Sequence, residues 1–437
     1  MAPTPKPSLE TVDTVELAYT GGDQAPSRSP RQDKVAHGLK LASVAFSLLV
    51  AGVSDGSVGA LLPYVLREYS VSTAVVSCIY GASFFAWLLA AVSGTHLCRR
   101  LDLGVLLALG AVCQIPAHAL LVWGPPLPLF AFATWLASLG QAFQNTQGNA
   151  FVAGTSGATH RWLALIHAAN MTGCLLGPFV ATSVASSRWC RFYAFPLGLA
   201  VANLALVLVA FRDSLRLKPA AKCLDQDNRG SGSPRGLVKA TLSLPGVWLL
   251  CNFFFFHVGS VVTIGGWVVE YLIDVRGGDL SKMGYIPVGF NGGALLGRLL
   301  LAEPTYRFGE RNMVLAYCFA AIALQLVFWL VPSLVAASVS VCLLGFFTGP
   351  FVPTGISLAS KLFPPHLHST ALGFVFVFAA MGGSLFPIIT GVIASKGNVS
   401  VLQPILTGLF SASAIGWFMV PRPKCKSLPD EDALDSD

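Results

Sequence analysis

Long apolar stretches bounded by Gly, Pro or charge recur at about 41–65, 73–97, 103–123, 128–152, 162–186 and 190–211. A polar stretch runs from Arg212 to Leu244, and the pattern then resumes at about 246–272, 283–302, 313–331, 334–360, 369–395 and 402–420. A helix needs about 20 apolar residues to cross the hydrocarbon core of a bilayer. The pattern therefore predicts twelve membrane-spanning helices in two sets of six. It divides the chain into an N-terminal tail over 1–37, a six-helix bundle over 38–211, a linker over 212–244, a second bundle over 245–420 and a C-terminal tail over 421–437.

Lys and Arg test that count independently, because cytoplasmic loops collect them. With both termini inside, 22 of the 28 fall in inside segments and 6 outside, and one missed or invented helix would scramble the split. The expectation is a multi-pass protein, at the plasma membrane, with both termini cytoplasmic.

Composition agrees: 54% of residues are hydrophobic and 11% charged, against about 25% charged in a soluble domain. A water-soluble globular protein is excluded. The net charge of +7 reads as a topology signal and not as affinity for nucleic acid, so the partner is the lipid bilayer. Cys78, Cys113, Cys174, Cys251, Cys318 and Cys342 lie singly in apolar runs, without a CxxC pair. They read as small core residues, and neither a disulfide framework nor a zinc site is expected. Residues 1–37 are rich in Pro, Ser, Thr and charge and lack a signal-peptide pattern, so a disordered tail that stays on is expected. The sequon Asn398-Val399-Ser400 lies so close to the membrane that it is expected to be unused.

The halves also resemble each other. Gly173 to Ser186 and Gly382 to Ser395 coincide at five of fourteen positions at an offset of 209 residues. Both segments run the same way through the membrane, so the repeat is a parallel 6+6, the architecture of major facilitator transporters. The fold class expected is thus an all-α polytopic membrane protein, twelve helices in two six-helix halves. No phosphate-cradling GxxxxGK[ST], HExxH, GxSxG or metal-spaced His and Cys cluster occurs. Neither enzyme activity nor a cofactor is expected, and any drive should come from a solute or ion gradient.

Ionisable and amide groups inside spans are costly, so each is a candidate. Asp55 lies midway along the first helix, flanked by Gly52, Gly56 and Gly59, and can bind a proton or cation; its alternative is a structural hydrogen bond. In the fourth helix Gln141, Asn145 and Asn149 share a face at i, i+4 and i+8, with Gln144 and Gln147 beside them. Five amides suit a hydroxyl- or carbonyl-rich solute, or act as interhelical glue. His167 and Asn170 on the fifth helix and His257 on the seventh are relay candidates. Glu270 lies near Arg276, where a surface ion pair is its other reading. Arg99, Arg100 and Asp102 sit in the turn between helices two and three, and Arg298, Arg307, Glu310 and Arg311 occupy the equivalent place in the second half. Such clusters can latch one half against the other, or simply set topology.

The stretches GVSDGSVGALLP at 52–63, GQAFQNTQGNAFVAG at 140–154, VTIGGWVVEYLIDVRGG at 262–278, GFNGGALLGR at 289–298 and LGFVFVFAAMGGSLFP at 372–387 resemble fungal major facilitator proteins of the fucose-permease-like, bypass-of-stop-codon group. That resemblance implies a rocker-switch carrier of sugars or other small organic solutes, often proton-coupled. Relatives commonly carry an acidic residue where this chain has Ser260 and an aromatic where it has Asn291. The segment Gly173 to Pro178 resembles the GxxxGP motif associated with antiporters.

The function expected is export of a small organic metabolite by alternating access in exchange for protons. Asp55, His167 and Glu270 are the proton-coupling candidates, and Gln141, Gln144, Asn145, Gln147, Asn170, Trp267 and Asn291 the solute contacts. Arg99, Arg100, Asp102 and Arg298 are the gating candidates. The alternatives are proton-coupled sugar or polyol uptake and a nontransporting sensor. A monomer is expected, since one chain already holds both halves.

Overall fold

A computed structural model describes residues 30–98, 100–155, 159–215, 234–364 and 367–421. Twelve long helices follow in order. The first six are α1 Pro30–Tyr69, α2 Thr73–Leu97, α3 Leu103–Trp123, α4 Leu127–Ala153, α5 Thr159–Arg188 and α6 Ala194–Ala210. The second six are α7 Pro245–Asp274, α8 Ile286–Leu300, α9 Glu310–Leu330, α10 Leu334–Leu362, α11 His368–Ala394 and α12 Leu402–Met419. Local chemistry sets several boundaries. Ser72 and Ser333 cap the starts of α2 and α10 by accepting from Val75 N and Ala336 N. Gly124, at φ +74°, ends α3 in a left-handed conformation that costs a glycine little.

Nine segments among the described residues are long and apolar enough to cross a membrane, and a bent pair makes a tenth. The remaining two crossings have definite causes. Helix α4 is 27 residues long, about 40 Å at 1.5 Å per residue, but its run of Gln and Asn lowers its hydropathy. Helices α5 and α6 are joined through the tight 3-10 turn Trp189–Tyr193 into one continuous stretch, Arg161–Ala210. They nevertheless run in opposite directions. Asn203 and Asp213 meet Ser47 and Lys40 of α1 in reverse order, whereas Gly173 and Gly177 of α5 meet Leu49 and Val53 in parallel order.

Helix α1 starts at Pro30, so residues 30–37 are helical and not tail. The linker holds a helix of its own, Pro234–Leu242. Cys78 is exposed and not in the core, while Cys174, Cys251 and Cys318 are buried and free.

Helix pairings recur with a step of six. Helix α1 packs on α5 as α7 does on α11, α2 on α4 as α8 on α10, α3 on α6 as α9 on α12, and α1 on α6 as α7 on α12. Across the halves, α2 packs on α11 and α5 on α8. This is the two-fold relation that a parallel repeat demands. The start of α1 and the end of α12 lie on one face of the bundle, the terminal face. There Lys40 binds Asp213 at 2.8 Å, and Arg311 at the start of α9 binds Val420 O at 2.9 Å.

Candidate functional site

The halves meet most closely at the face opposite the termini. A Cβ on Gly59 would collide with the Gly265 carbonyl, and one on Gly266 with the Tyr80 hydroxyl, so glycine is what lets α1 and α2 reach α7. Thr73 Oγ1 donates to Gly391 O at 2.8 Å. Arg67 donates to Glu270 at 3.0 Å and lies 3.6 Å from Asp274, while also donating to Pro63 O at 2.7 Å. Glu270 therefore pairs across the halves and not with Arg276, which instead donates to the carbonyls of Phe328 and Trp329. Arg67 was missed by sequence reasoning. It lies 203 residues from Glu270, and no local spacing connects them.

Helix α1 is enclosed by α4, α5, α6 and α7, with weaker contacts to α2 and α8. Asp55 is nonetheless exposed. An exposed position on an enclosed helix borders open space beside its neighbours, and Asp55 is such a position. Gly52 and Gly56 on α1 interlock with Asn170, Gly173 and Cys174 of α5 at backbone contact. The glycines around Asp55 thus serve close packing, and the carboxylate is left to the open space.

The amides of α4 divide. Gln144 is buried at 1% exposure in a polar chain that crosses the first half. Ser47 donates to Asn203 at 2.8 Å, Asn203 to Gln144 at 3.1 Å, Gln114 to Gln144 at 2.9 Å, and Gln144 to Leu107 O at 3.0 Å. Its bonds are spent tying α1, α3, α4 and α6 together. Gln147 is buried against Cys98 of α2, and Gln141 is buried as well. Asn145 and Asn149 are half-buried and bonded to each other at 2.7 Å, which leaves them partly open.

On α5, Asn170 donates to Leu48 O at 3.0 Å and His167, one turn earlier, is half-buried. Trp267 lies fully buried, its Nε1 donating to Pro387 O at 3.1 Å, which places it in the α7–α11 interface. His257 is buried, with ring centroids 5.7 Å from Phe253 and 4.9 Å from Phe351, and its Nδ1 has no partner. Asn291 is half-buried and donates to Pro287 O at 2.9 Å.

The gating candidates occupy different places. Arg99 lies outside the described residues. Arg100 is exposed in the turn before α3, and Asp102 is buried at the N-terminus of that helix. Arg298 lies not in the turn after α8 but within the helix, its Nε donating to Gly349 O at 3.0 Å. In the second half, Arg307 pairs with Glu303 at 2.6 Å, and Glu310 holds Lys361 at 2.8 Å and accepts from Ser357 at 2.7 Å. Among the described residues no group of His, Cys, Asp and Glu is arranged to hold a metal.

Comparison with known proteins agrees with this architecture. The model of the Major Facilitator Superfamily matches residues 44–387 and 289–434. Bypass of stop codon protein 6 of Saccharomyces cerevisiae is 24% identical over 411 residues, covering 88% of this chain and 82% of its own. A Helicobacter pylori protein whose name refers to glucose/galactose transport is 27% identical over 388 residues, covering 82% of this chain and 90% of its own. Among solved structures, the nucleoside transporter NupG superposes with a TM-score of 0.71 at 13% identity, covering 88% of this chain and 100% of its own.

Proposed function

Because the chain belongs to the Major Facilitator Superfamily, we propose that it is a proton-coupled secondary transporter that moves a small organic solute by alternating access, in the export direction. The observation that carries this reading is Asp55. It is an acidic side chain exposed on an enclosed helix and without a basic partner among the described residues, and we read the space it borders as the solute cavity between the halves. A carboxylate kept inside a bilayer without a structural bond is a natural proton carrier. Asn145, Asn149, Asn170 and Asn291 supply neutral hydrogen-bonding groups toward the same interior and are the proposed solute contacts. Gln144 and Trp267 are left to packing.

With both termini cytoplasmic, the closed face is external and the conformation is inward-facing. Arg67, Glu270 and Asp274 are then the external latch, and Glu270 is a gating group instead of a proton carrier. The export direction rests on the resemblance of Gly173 to Pro178 to the antiporter-associated GxxxGP motif, whose Gly173 and Gly177 hold α5 against the α1 backbone. A second reading is proton-driven sugar uptake, of which the name of the Helicobacter pylori relative supports the sugar alone. We place the protein at the plasma membrane as a monomer.

The test is solute flux in vesicles holding the purified full chain, with and without an imposed pH gradient, for wild type and Asp55→Asn. Export coupled to inward protons is expected, with Asp55→Asn losing the pH dependence while keeping solute binding. Uptake with inward protons would reverse the direction. Unchanged pH-dependent flux in Asp55→Asn would remove Asp55 from coupling.

A further inference from the structure

Arg298 is the charge that the transport reading leaves unused. Leu296 and Leu300, two residues to either side, are 53% and 61% exposed. Two helical steps of about 100° each turn Arg298 to the opposite side of α8, into the bundle, where it is half-buried. Asn291 lies two turns earlier on the same face. Glycines 289, 293 and 297 occupy the neighbouring face and press α8 onto α10. His167 of α5 and His257 of α7 are within electrostatic reach of Arg298, so the guanidinium stands where elements of both halves converge.

Its hydrogen bond to Gly349 has a local cause. Helix α10 is broken between Thr348 and Phe351. Pro350 and Pro353 have no N–H to give, and Pro353 is the residue that would otherwise serve the Gly349 carbonyl. Arg298 Nε takes that acceptor at 3.0 Å. A guanidinium has five N–H donors in a planar fork, and a capping role uses one. Among the described residues no carboxylate forms an ion pair with Arg298, and Asp55 is not its partner. An unpaired cation within a span is costly and points to a ligand of opposite charge.

We propose that Arg298 is the binding residue for a carboxylate on the transported solute, which makes the substrate class a small organic acid. The bond to Gly349 O holds the guanidinium plane, and the outer edge of the fork meets both oxygens of one carboxylate. One guanidinium balances one carboxylate, while the half-buried Asn291 and His167 offer hydrogen bonds to the rest of the solute. The proposal rests on the transport reading for its function but names a binding event that can be measured without flux.

The test uses the purified full chain in detergent and matched probes at fixed ionic strength: galacturonate against galactose, lactate against propane-1,2-diol, and succinate against succinamide. Thermal stabilisation is read for wild type, Arg298→Gln and Arg298→Lys. At least one acid is expected to stabilise wild type more than its neutral partner. Its affinity should fall about ten- to a hundredfold in Arg298→Gln, the range carried by a lost charge-assisted hydrogen bond, with partial recovery in Arg298→Lys. The absence of any acid preference in wild type overturns the proposal, and that arm needs no variant to fold. So does an acid preference that survives in Arg298→Gln. Saturable flux of galactose without acid preference would overturn the role of Arg298 and leave the transport reading standing. Arg298-dependent acid binding without flux of any probe would do the reverse.

Discussion

Gly173 of α5 and Gly382 of α11, 209 positions apart, do the same work in the two halves. Each brings its helix to backbone contact with a partner, at Leu49 and Val53 of α1 or at Phe255 of α7. The polar groups do not follow that symmetry. The first half is crossed by the chain from Ser47 through Asn203 and Gln144 to Gln114, whereas between the corresponding α9 and α12 the described residues show one bond between two polar side chains, Gln325 donating to Gln403 at 2.6 Å, besides the links of Arg311 to Trp417 and Phe418 at the terminal face. That pair leaves Gln325 Oε1 and Gln403 Nε2 unpartnered. Asp55 belongs to one half and Arg298 to the other. Close packing is a demand of shape that both copies must meet, so it persists. Polar chemistry is free to diverge, and a cavity between two unlike halves can grip an asymmetric solute.

The sharpest way to break this comparison is to substitute the paired glycines. Gly173→Leu and Gly382→Leu each force a side chain into neighbouring backbone, which must shift to admit it. Both should abolish flux and strongly reduce the yield of folded protein, as monitored by size-exclusion chromatography in detergent. If one variant is tolerated, the halves do not share a packing constraint.

A smaller effect should separate the polar networks. Gln144→Leu takes the shared acceptor from Gln114 and Asn203, at about 1–3 kcal/mol for each buried group left unpaired, leaving Gln114 its bond to Gly110 O at 3.3 Å and Asn203 its bond from Ser47 at 2.8 Å. Gln325→Leu removes a pair that is already incomplete. Thermal unfolding should show the larger loss for Gln144→Leu, and solute selectivity should be unchanged in both variants. A change of selectivity in Gln144→Leu would return Gln144 to the solute contacts.

The smallest effect is expected where the halves meet. Arg67 is 42% exposed while Glu270 is 6% exposed, so solvent screening limits the pair to about 1 kcal/mol, a shift of several-fold in the conformational equilibrium. Arg67→Gln should raise the labelling rate of a cysteine placed at Thr73 by that factor. An unchanged rate would assign the closure to the glycine contacts alone.

Much of the architecture was legible in the residues. Crossing number, the repeat and the side on which basic residues gather follow from local composition, because a bilayer imposes the same length and polarity on every span. The glycines around Asp55 announced close helix approach for a similar reason, since only a residue without Cβ permits it. The fourth helix showed its amides but not their fates. Periodicity puts Gln144 and Asn145 on adjacent faces, and whether a face meets α3, α6 or open space depends on helices distant in sequence. Glu270 read locally as a neighbour of Arg276, yet the fold brings Arg67 to it from the other half. Arg298 read as a turn residue until the broken α10 supplied a carbonyl beside it. Composition and periodicity act along one helix and so settle its span and its faces. Partnership is a property of how twelve helices are arranged, and only the assembled bundle decides which polar group is spent on packing and which is left to the cavity.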